Sequence, residues 1–204
     1  MVKSLRQSYA ENTRNVLIEA GRQLFVERGY SAVSAEELVQ SAGLSRGALY
    51  HHFDGKRGLF EAVFEEQEAS ATTRIEHAMN AVADPWQQAL RGMDMFLEIC
   101  GEHEYREIVI LQGPIALGWP RWRELDKQHF AGLLTAAAHN LIDAGMIHGQ
   151  RADLVAAAIY GMLTELSLTI AAGPNRTKAR EDASELIRNM LRGITTHDTY
   201  RGTR

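Results

Sequence analysis

The chain has 204 residues, of which 45% are hydrophobic and 24% are charged, and its formal net charge is −4. This composition is typical of a folded protein with one or two small domains and excludes an intrinsically disordered chain. The single cysteine, Cys100, excludes an internal disulfide, and the polar N-terminus lacks the apolar segment of a signal peptide, so we expect a cytoplasmic protein.

The sequence pattern predicts an all-α fold. Only four prolines occur, and no long alternation of Val, Ile and Thr is present. One long apolar run extends over residues 154–172, but it contains Gly161, Glu165 and several hydroxyl side chains. We therefore expect a buried helix there rather than a membrane span.

The N-terminal part of the chain is its basic part. Residues 1–60 contain eight basic and six acidic side chains, a charge of +2, and the remaining residues therefore carry −6. Residues 1–9 form a polar arm whose Lys3 and Arg6 could reach a DNA groove, and a frayed terminus is the alternative. A first helix is predicted from Asn12 to Arg28, and its apolar stripe consists of Val16, Leu17, Ala20, Leu24 and Phe25.

A helix-turn-helix pattern follows, from Ser34 to Phe53. Ser34 and Glu37 predict a capping box at the start of the first helix of the pair. Gly43 suits the left-handed residue that ends this helix, and Ser45 is the expected N-cap of the second helix. The turn between them has only about three residues, so the two helices must cross steeply.

The second helix of this pair buries Leu49 and Phe53 and directs an acid-free face outward. Small residues and hydrogen-bond donors in its first turn suit a close approach to a DNA major groove. The alternative is a small helical hairpin with an ordinary solvent-exposed face. The outward face consists of Ser45, Arg46, Gly47, Ala48, Tyr50, His51 and His52.

A further helix is predicted from Lys56 to Asn80, with Leu59, Phe60 and Val63 on its packing side. Lys56 lies beside the end of the second helix of the pair, where its ammonium and nearby backbone N–H groups could bind a phosphate. A solvated lysine is the alternative.

The stretch from Arg14 to Leu59 resembles the N-terminal domain of the TetR family of bacterial transcriptional regulators. The sequence Glu37-Leu38-Val39 departs from the Ile-Ala pair that is usual in the family. The residues that carry the resemblance are Ala20, Leu24, Phe25, Gly29, Tyr30, Ala42, Gly43, Leu44, Ser45, Gly47, Leu49, Tyr50, His52, Phe53, Lys56 and Leu59.

The resemblance implies an all-helical homodimer in which three N-terminal helices bind DNA and a larger C-terminal domain binds a small effector and dimerises. We accordingly place the DNA-binding domain at residues 1–55 and the C-terminal domain at residues 56–204, with 56–80 as the connecting helix. By position in the motif, Arg46 and His51 are the candidates for base edges. The full DNA-facing set is Ser34, Ser45, Arg46, Gly47, Tyr50, His51 and Lys56, in which Ser34, Ser45, Tyr50 and Lys56 would contact phosphates.

Further helices are predicted in the C-terminal part. Asp84 and Pro85 begin one that Gly101 ends, Gly113-Pro114 interrupts the next, and Gly118-Trp119-Pro120 forms a turn. The predicted ranges are 85–101, 105–117, 121–144, 151–172 and 178–195.

The last two helices predict the dimer interface. Helix 151–172 is apolar on nearly all sides, and Ala156, Ala157, Ala158 and Gly161 allow another helix to approach closely. Two such helices from each subunit would form a four-helix bundle. Two-fold symmetry would present two recognition helices about 34 Å apart, so the operator should be an inverted repeat.

Aromatic and methionine residues on helices that we expect to converge predict an effector pocket for an apolar or aromatic ligand. Ordinary core packing is the alternative for each residue. Glu165 is the only charge in its apolar run, so we expect it to be buried with a partner: a ligand amine, Arg106, Arg121 or an N–H across the dimer. The candidates are Met93, Phe96, Cys100, Ile110, Trp119, Trp122, Phe130, Tyr160 and Glu165.

The sequence contains no catalytic or phosphate-binding motif and no convincing metal-ligand spacing, so no enzyme, cofactor or metal site is predicted. A metal sensor that uses His103, His129 or Cys100 is the alternative. The predicted function is that of a repressor released from a palindromic operator by a small molecule. Transcriptional activation is one alternative, and a helical enzyme or ligand carrier with a purely structural hairpin is another.

Overall fold

The computed structural model describes the backbone of residues 5–194 and the side chains of residues 7–194. Lys3, the side chain of Arg6 and Thr195 lie outside the described residues. Across the described range the chain is helical and has no strand, which confirms the all-α prediction. The α-helices are α1 (Leu5–Arg28), α2 (Ala35–Ser41), α3 (Arg46–His52), α4 (Gly55–Asn80), α5 (Pro85–Gly101), α6 (His103–Tyr105), α7 (Gly113–Leu117), α8 (Trp119–Asp143), α9 (Ala152–Ala172) and α10 (Arg176–Ile194).

The chain folds into two compact units. The first contains the residues up to Ala69 together with His103–Leu125, and the second contains Ser70–Glu102 together with the residues from Asp126 onward. Helices α4 and α8 therefore each contribute residues to both units. The predicted boundary at residue 55 separates the DNA-binding helices from the rest of the chain by function. The division into packing units does not test it, so it stays a prediction.

Aromatic packing holds the N-terminal helices of the first unit together. The ring centroid of Phe60 lies 5.2 Å from that of Phe25 and 5.1 Å from that of Tyr30, both in edge-on geometry that favours aromatic pairs. Val16 does not belong to the buried stripe of α1, because 37% of its surface is exposed, and Ile18 is buried instead.

The predicted interruption at Pro114 takes the form of a π-helix, Arg106–Gln112, which joins α6 to α7. In a π-helix the carbonyl of Val109 would accept a hydrogen bond from residue 114, but proline has no N–H. The indole Nε1–H of Trp122 donates to this carbonyl instead, at 2.8 Å. Gly113 makes the approach possible, since a Cβ there would lie 2.6 Å from Cδ1 of Trp122.

The predicted turn after α7 is shorter than expected. Gly118 alone leaves the helical conformation, with a φ of 79° that a residue without a Cβ adopts easily. Trp119 and Pro120 already belong to the first turn of α8, where proline loses no hydrogen bond.

The second unit is a helical bundle around one apolar core. Asp84 caps α5 by accepting a hydrogen bond from the backbone N–H of Gln87 at 2.9 Å, as its position before Pro85 predicted. Buried side chains of α5, α8, α9 and α10 form the core, among them Leu97, Leu141 and Ile187.

Helix α9 is long and apolar enough to span a membrane by length and composition alone. Core helices of folded proteins pass the same test, and one side of α9, including Ile159, Leu163 and Ile170, is buried in the second unit. One side of the helix therefore packs in a protein core, as the sequence predicted, and its other side is exposed in the single chain.

Candidate nucleic-acid interface and ligand cavity

The start of α2 has the predicted capping box. The Ser34 hydroxyl accepts a hydrogen bond from the Glu37 N–H at 3.2 Å, and the Glu37 carboxylate accepts one from the Ser34 N–H at 2.8 Å. Arg28 of α1 donates to the same carboxylate at 2.8 Å. The pKa of Glu37 is lowered to about 2, most strongly by the Ser34 N–H and then by the Ser34 hydroxyl and Arg28. The box therefore fixes α2 against the end of α1.

The turn and the second cap also follow the predicted pattern. Gly43 has a φ of 66°, and the N–H of Leu44 donates to the carbonyl of Val39 at 2.8 Å. The Ser45 hydroxyl accepts a hydrogen bond from the N–H of Ala48 at 3.2 Å and so caps α3. These local contacts define the orientation of α3 relative to α2.

Helix α3 exposes the residues predicted to face DNA. Ser45, Arg46, Gly47 and His51 are exposed, and Tyr50 is 53% exposed. The guanidinium carbon of Arg46 lies 5.6 Å from the centroid of the Tyr50 ring, a cation–π contact that restricts the arginine.

His52 and Arg14 lie near the other end of α3, where His51 also lies. The rings of His51 and His52 are in edge-on contact with centroids 4.9 Å apart, and the guanidinium of Arg14 lies 5.3 Å from the Phe53 ring centroid. Burial is the main cause that lowers the pKa of His52, and the charges of His51 and Arg14 lower it further. The candidate set omitted Arg14, because nothing local links α1 to the end of α3.

Lys56 is half-buried and bonded within the protein. Its Nζ donates to the carbonyls of Tyr30 and Val33 at 2.9 and 2.7 Å, and it lies 4.2 Å from the centroid of the Tyr30 ring. Two of the three ammonium protons are therefore used to hold the segment that leads into Ser34. A phosphate contact by the third proton stays a prediction.

The second unit contains a cavity of about 50 Å³ among α4, α5, α8 and α9. Its walls are almost wholly apolar. The polar side chains in its lining are Asp126, Tyr160 and Thr164, all of them buried. The Tyr160 hydroxyl donates a hydrogen bond to the Asp126 carboxylate.

Four of the nine predicted effector residues line this cavity, namely Met93, Phe96, Phe130 and Tyr160. Phe96 and Phe130 are in edge-on contact, with ring centroids 5.9 Å apart. Their role in effector binding stays a prediction. Asp126 and Thr164 were missed, although Asp126 lies four residues from both Trp122 and Phe130, and this spacing places all three on one side of α8.

The other predicted effector residues do not line the cavity. Cys100 is buried elsewhere in the second unit, and Ile110, Trp119 and Trp122 belong to the first unit. Trp122 has the structural role described above, and Trp119, 46% exposed, packs against it with ring centroids 4.8 Å apart. Aromatic character at helical spacing was a poor guide here because it marks core and ligand positions alike.

Glu165 is exposed in the single chain, so it is not buried with a partner there. A partner across the dimer stays a prediction. The two proposed arginines pair with other carboxylates. Arg106 donates to Glu107 at 3.0 Å, and Arg121 pairs with Glu61 at 2.5 Å. An exposed carboxylate needs no partner, because water solvates it.

Potential metal ligands do not converge in the part of the chain that the structure describes. Within residues 5–194, no group of three or more His, Cys, Asp or Glu side chains is arranged to hold a metal ion. The Nδ1 atom of His103 instead lies 2.9 Å from a guanidinium nitrogen of Arg106.

Known proteins resemble the chain over both of its parts. Residues 17–63 match the model of the bacterial regulatory proteins of the tetR family, and residues 86–194 match that of the tetracyclin repressor-like C-terminal domain. A crystal structure of a TetR-family transcriptional regulator from Pectobacterium atrosepticum is 30% identical, with a TM-score of 0.83, and the match covers 94% of this chain and 98% of that one.

Two relatives from Escherichia coli extend the comparison. The TetC protein of transposon Tn10 is 24% identical over 170 residues, which are 81% of this chain and 84% of TetC. The transcriptional regulator UidR of strain K12 is 30% identical over 76 residues, 37% of this chain and 39% of UidR.

Proposed function

Because this chain belongs to the TetR family of bacterial transcriptional regulators, it is a DNA-binding regulator, and we propose that it is a repressor released from a palindromic operator by a small molecule. The family consists of regulators that bind operators and effectors as dimers, so we assign the chain no catalytic role and place it with DNA in the cytoplasm. Activation of transcription is the alternative outcome of the same binding.

The exposed, acid-free face of α3 is the observation that carries this proposal. Arg46 lies at the first turn of α3, and its contact with Tyr50 restricts it before DNA arrives, which lowers the entropic cost of binding. Gly47 adds no side chain that would keep the helix from the base edges. We propose that Arg46 and His51 contact bases.

Phosphate contacts would fix the register of α3 in the groove. We assign them to Ser34, Ser45, Tyr50 and Lys56, and we add Arg14, whose exposed guanidinium lies close to the end of α3. These contacts would supply most of the salt dependence of DNA binding.

A second copy of the chain is the proposed occupant of an apolar stripe on α10. Leu186, Met190 and Ile194 follow one another at four-residue spacing and are each more than a third exposed. On α9, Leu154 is 58% exposed, and Gly161 offers room for close helix approach. Burial of these side chains in a dimer would be favourable at about 25 cal/mol per Å².

The cavity in the second unit is the proposed effector site. Its volume of about 50 Å³ is well below the roughly 300–1,000 Å³ of typical ligand pockets, so a ligand must expand it. An effector that binds the expanded state better shifts the population toward that state. We propose that this state holds the two α3 helices of the dimer at a separation that does not fit the operator.

Fluorescence anisotropy with genomic fragments at two salt concentrations tests this function. We expect tight, strongly salt-dependent binding to a fragment that contains an inverted repeat. Weak binding with no preference among fragments would instead support a ligand carrier with a structural hairpin, and would refute the proposal.

The variant Arg46→Ala tests the assignment of α3. We expect it to weaken binding to the operator by about 1–3 kcal/mol and to reduce discrimination against a scrambled site. Arg176→Ala is the matched control, because it removes one exposed positive charge from the other unit. If Arg46→Ala discriminates as well as the control does, Arg46 does not read bases.

A further inference from the structure

We propose that the effector is a compact apolar molecule that carries a hydrogen-bond donor and no carboxylate, and that its donor binds at Asp126. This inference rests on the proposed function, because it names the class of ligand that the cavity would accept.

The polar groups of the cavity converge at one place. Tyr160 and Thr164 are four residues apart on α9 and therefore lie on the same side of that helix. Asp126 of α8 lines the same cavity and accepts the hydrogen bond of the Tyr160 hydroxyl. The remaining lining consists of aliphatic, methionine and phenylalanine side chains and one glycine. A ligand that fits must therefore be apolar over most of its surface and polar at one end.

The chemistry of that polar end selects donors. Asp126 is the only lining side chain with a carboxylate, and a carboxylate accepts up to about four hydrogen bonds, so a ligand donor can join or replace the Tyr160 hydroxyl. A ligand carboxylate would instead face a like charge in a water-poor site, where repulsion is strong. Lys127, which follows Asp126 on α8, is exposed and lies over the Tyr160 ring, 5.5 Å from its centroid.

The size of the cavity favours a single ring. An apolar cavity of about 150 Å³ is enough to bind benzene, whereas this one measures about 50 Å³. The cavity must therefore enlarge even for one ring, and a larger ligand would require more rearrangement. The flexible side chains of Met79 and Met93 line the cavity and can move aside. Gly92 gives Met79 its position, since a Cβ at Gly92 would lie 2.9 Å from the Met79 sulfur.

A matched series of probes tests the inference. p-Methylbenzyl alcohol, p-methylbenzylamine, p-methylbenzoate and p-xylene share one ring and one methyl group and differ in the second substituent. Isothermal titration calorimetry on the wild-type dimer should show the alcohol or the amine binding at least ~10-fold more tightly than the carboxylate and than p-xylene. The tighter of the two donors then tells whether the effector is neutral or cationic.

Variants of the polar side chains in the cavity show which of them causes the preference for donor ligands. Asp126→Asn should bring the donors and the carboxylate to within ~3-fold of one another, since the like charge is removed. Tyr160→Phe keeps the ring and removes only the hydroxyl that donates to Asp126, so the preference for donors should persist. Ala137→Phe should abolish binding of all four probes, because a ring at this lining position fills the cavity.

Several outcomes would overturn the inference. These are equal or tighter binding of p-methylbenzoate by the wild type, no measurable binding of any probe, or an unchanged ranking in Asp126→Asn. If Asp126→Asn does not fold, the wild-type ranking and Tyr160→Phe decide. Operator binding without probes is measured in parallel, so failure of the proposed function shows as absent operator binding, whatever the probes do.

Discussion

Replacing Gln112 by leucine should destabilise the first unit, because this side chain joins two backbone groups that are far from it in sequence. Gln112 is buried at the end of the π-helix, and its Nε2 donates to the carbonyl of Phe25 at 2.9 Å. Its Oε1 accepts the N–H of Tyr30 at 2.8 Å. The amide thus links the last turn of α1 to the segment that leads into the helix-turn-helix.

The cost follows from what each backbone group loses. The N–H of Tyr30 would lose its acceptor in a partly buried place, at about 1–3 kcal/mol. The carbonyl of Phe25 still accepts the N–H of Gly29 at 2.9 Å, so its loss is that of an ordinary hydrogen bond, about 1 kcal/mol. We therefore expect Gln112→Leu to lower the free energy of unfolding by about 2–4 kcal/mol.

Urea unfolding followed by circular dichroism measures this change. Gln128→Leu is the matched control, since Gln128 is exposed on α8, and it should stay within about 0.5 kcal/mol of the wild type. Gln112→Glu keeps an acceptor for Tyr30 but places a carboxylate beside the Phe25 carbonyl, so it should not restore the loss. A Gln112→Leu protein as stable as the control would refute the reasoning.

Three further predictions concern the helix-turn-helix. The lowered pKa of Glu37, about 2, means that its carboxylate stabilises the fold fully above its ordinary pKa of 4.5 and loses this effect as the pH falls toward 2. Glu37→Gln should therefore flatten the stability curve in that window, and an unchanged curve would contradict the capping role. Gly43→Ala should lower the free energy of unfolding by about 1–2 kcal/mol in thermal unfolding, because Gly43 has a positive φ. Gly47→Ala, in the helical α3, should not destabilise the fold but should weaken operator binding. Equal stabilities of the two variants would argue against backbone strain at Gly43. Lys56→Met should destabilise the fold by about 2 kcal/mol even without DNA, and a variant that lost only DNA affinity would show that phosphate binding is its main role.

The helix-turn-helix was predictable because its determinants are local. The capping box joins residues three apart, and Gly43 and Ser45 act on the helix ends beside them. The same is true of Asp84 at the start of α5. Patterns of this kind involve only a few consecutive residues, so they can be interpreted without knowledge of the tertiary structure.

The rest depends on contacts between distant residues. Nothing near Lys56 or Gln112 indicates that their side chains hold the carbonyls and the N–H around Tyr30. In the π-helix, the carbonyl of Val109 accepts its hydrogen bond from Trp122, which is 13 residues away in sequence. Glu165 was expected to be buried because its helix is apolar, yet its side of α9 is exposed in a single chain.

The paired tryptophans of the first unit give the protein an optical label of its own. Trp122 is bonded to the π-helix and lies against Trp119, whereas the third tryptophan, Trp86, belongs to the second unit. With Trp86 replaced by phenylalanine, emission would come from this pair alone, and its wavelength and lifetime would follow the indole's bond to Val109. Unfolding of the first unit can thus be timed by stopped-flow spectroscopy without any attached dye.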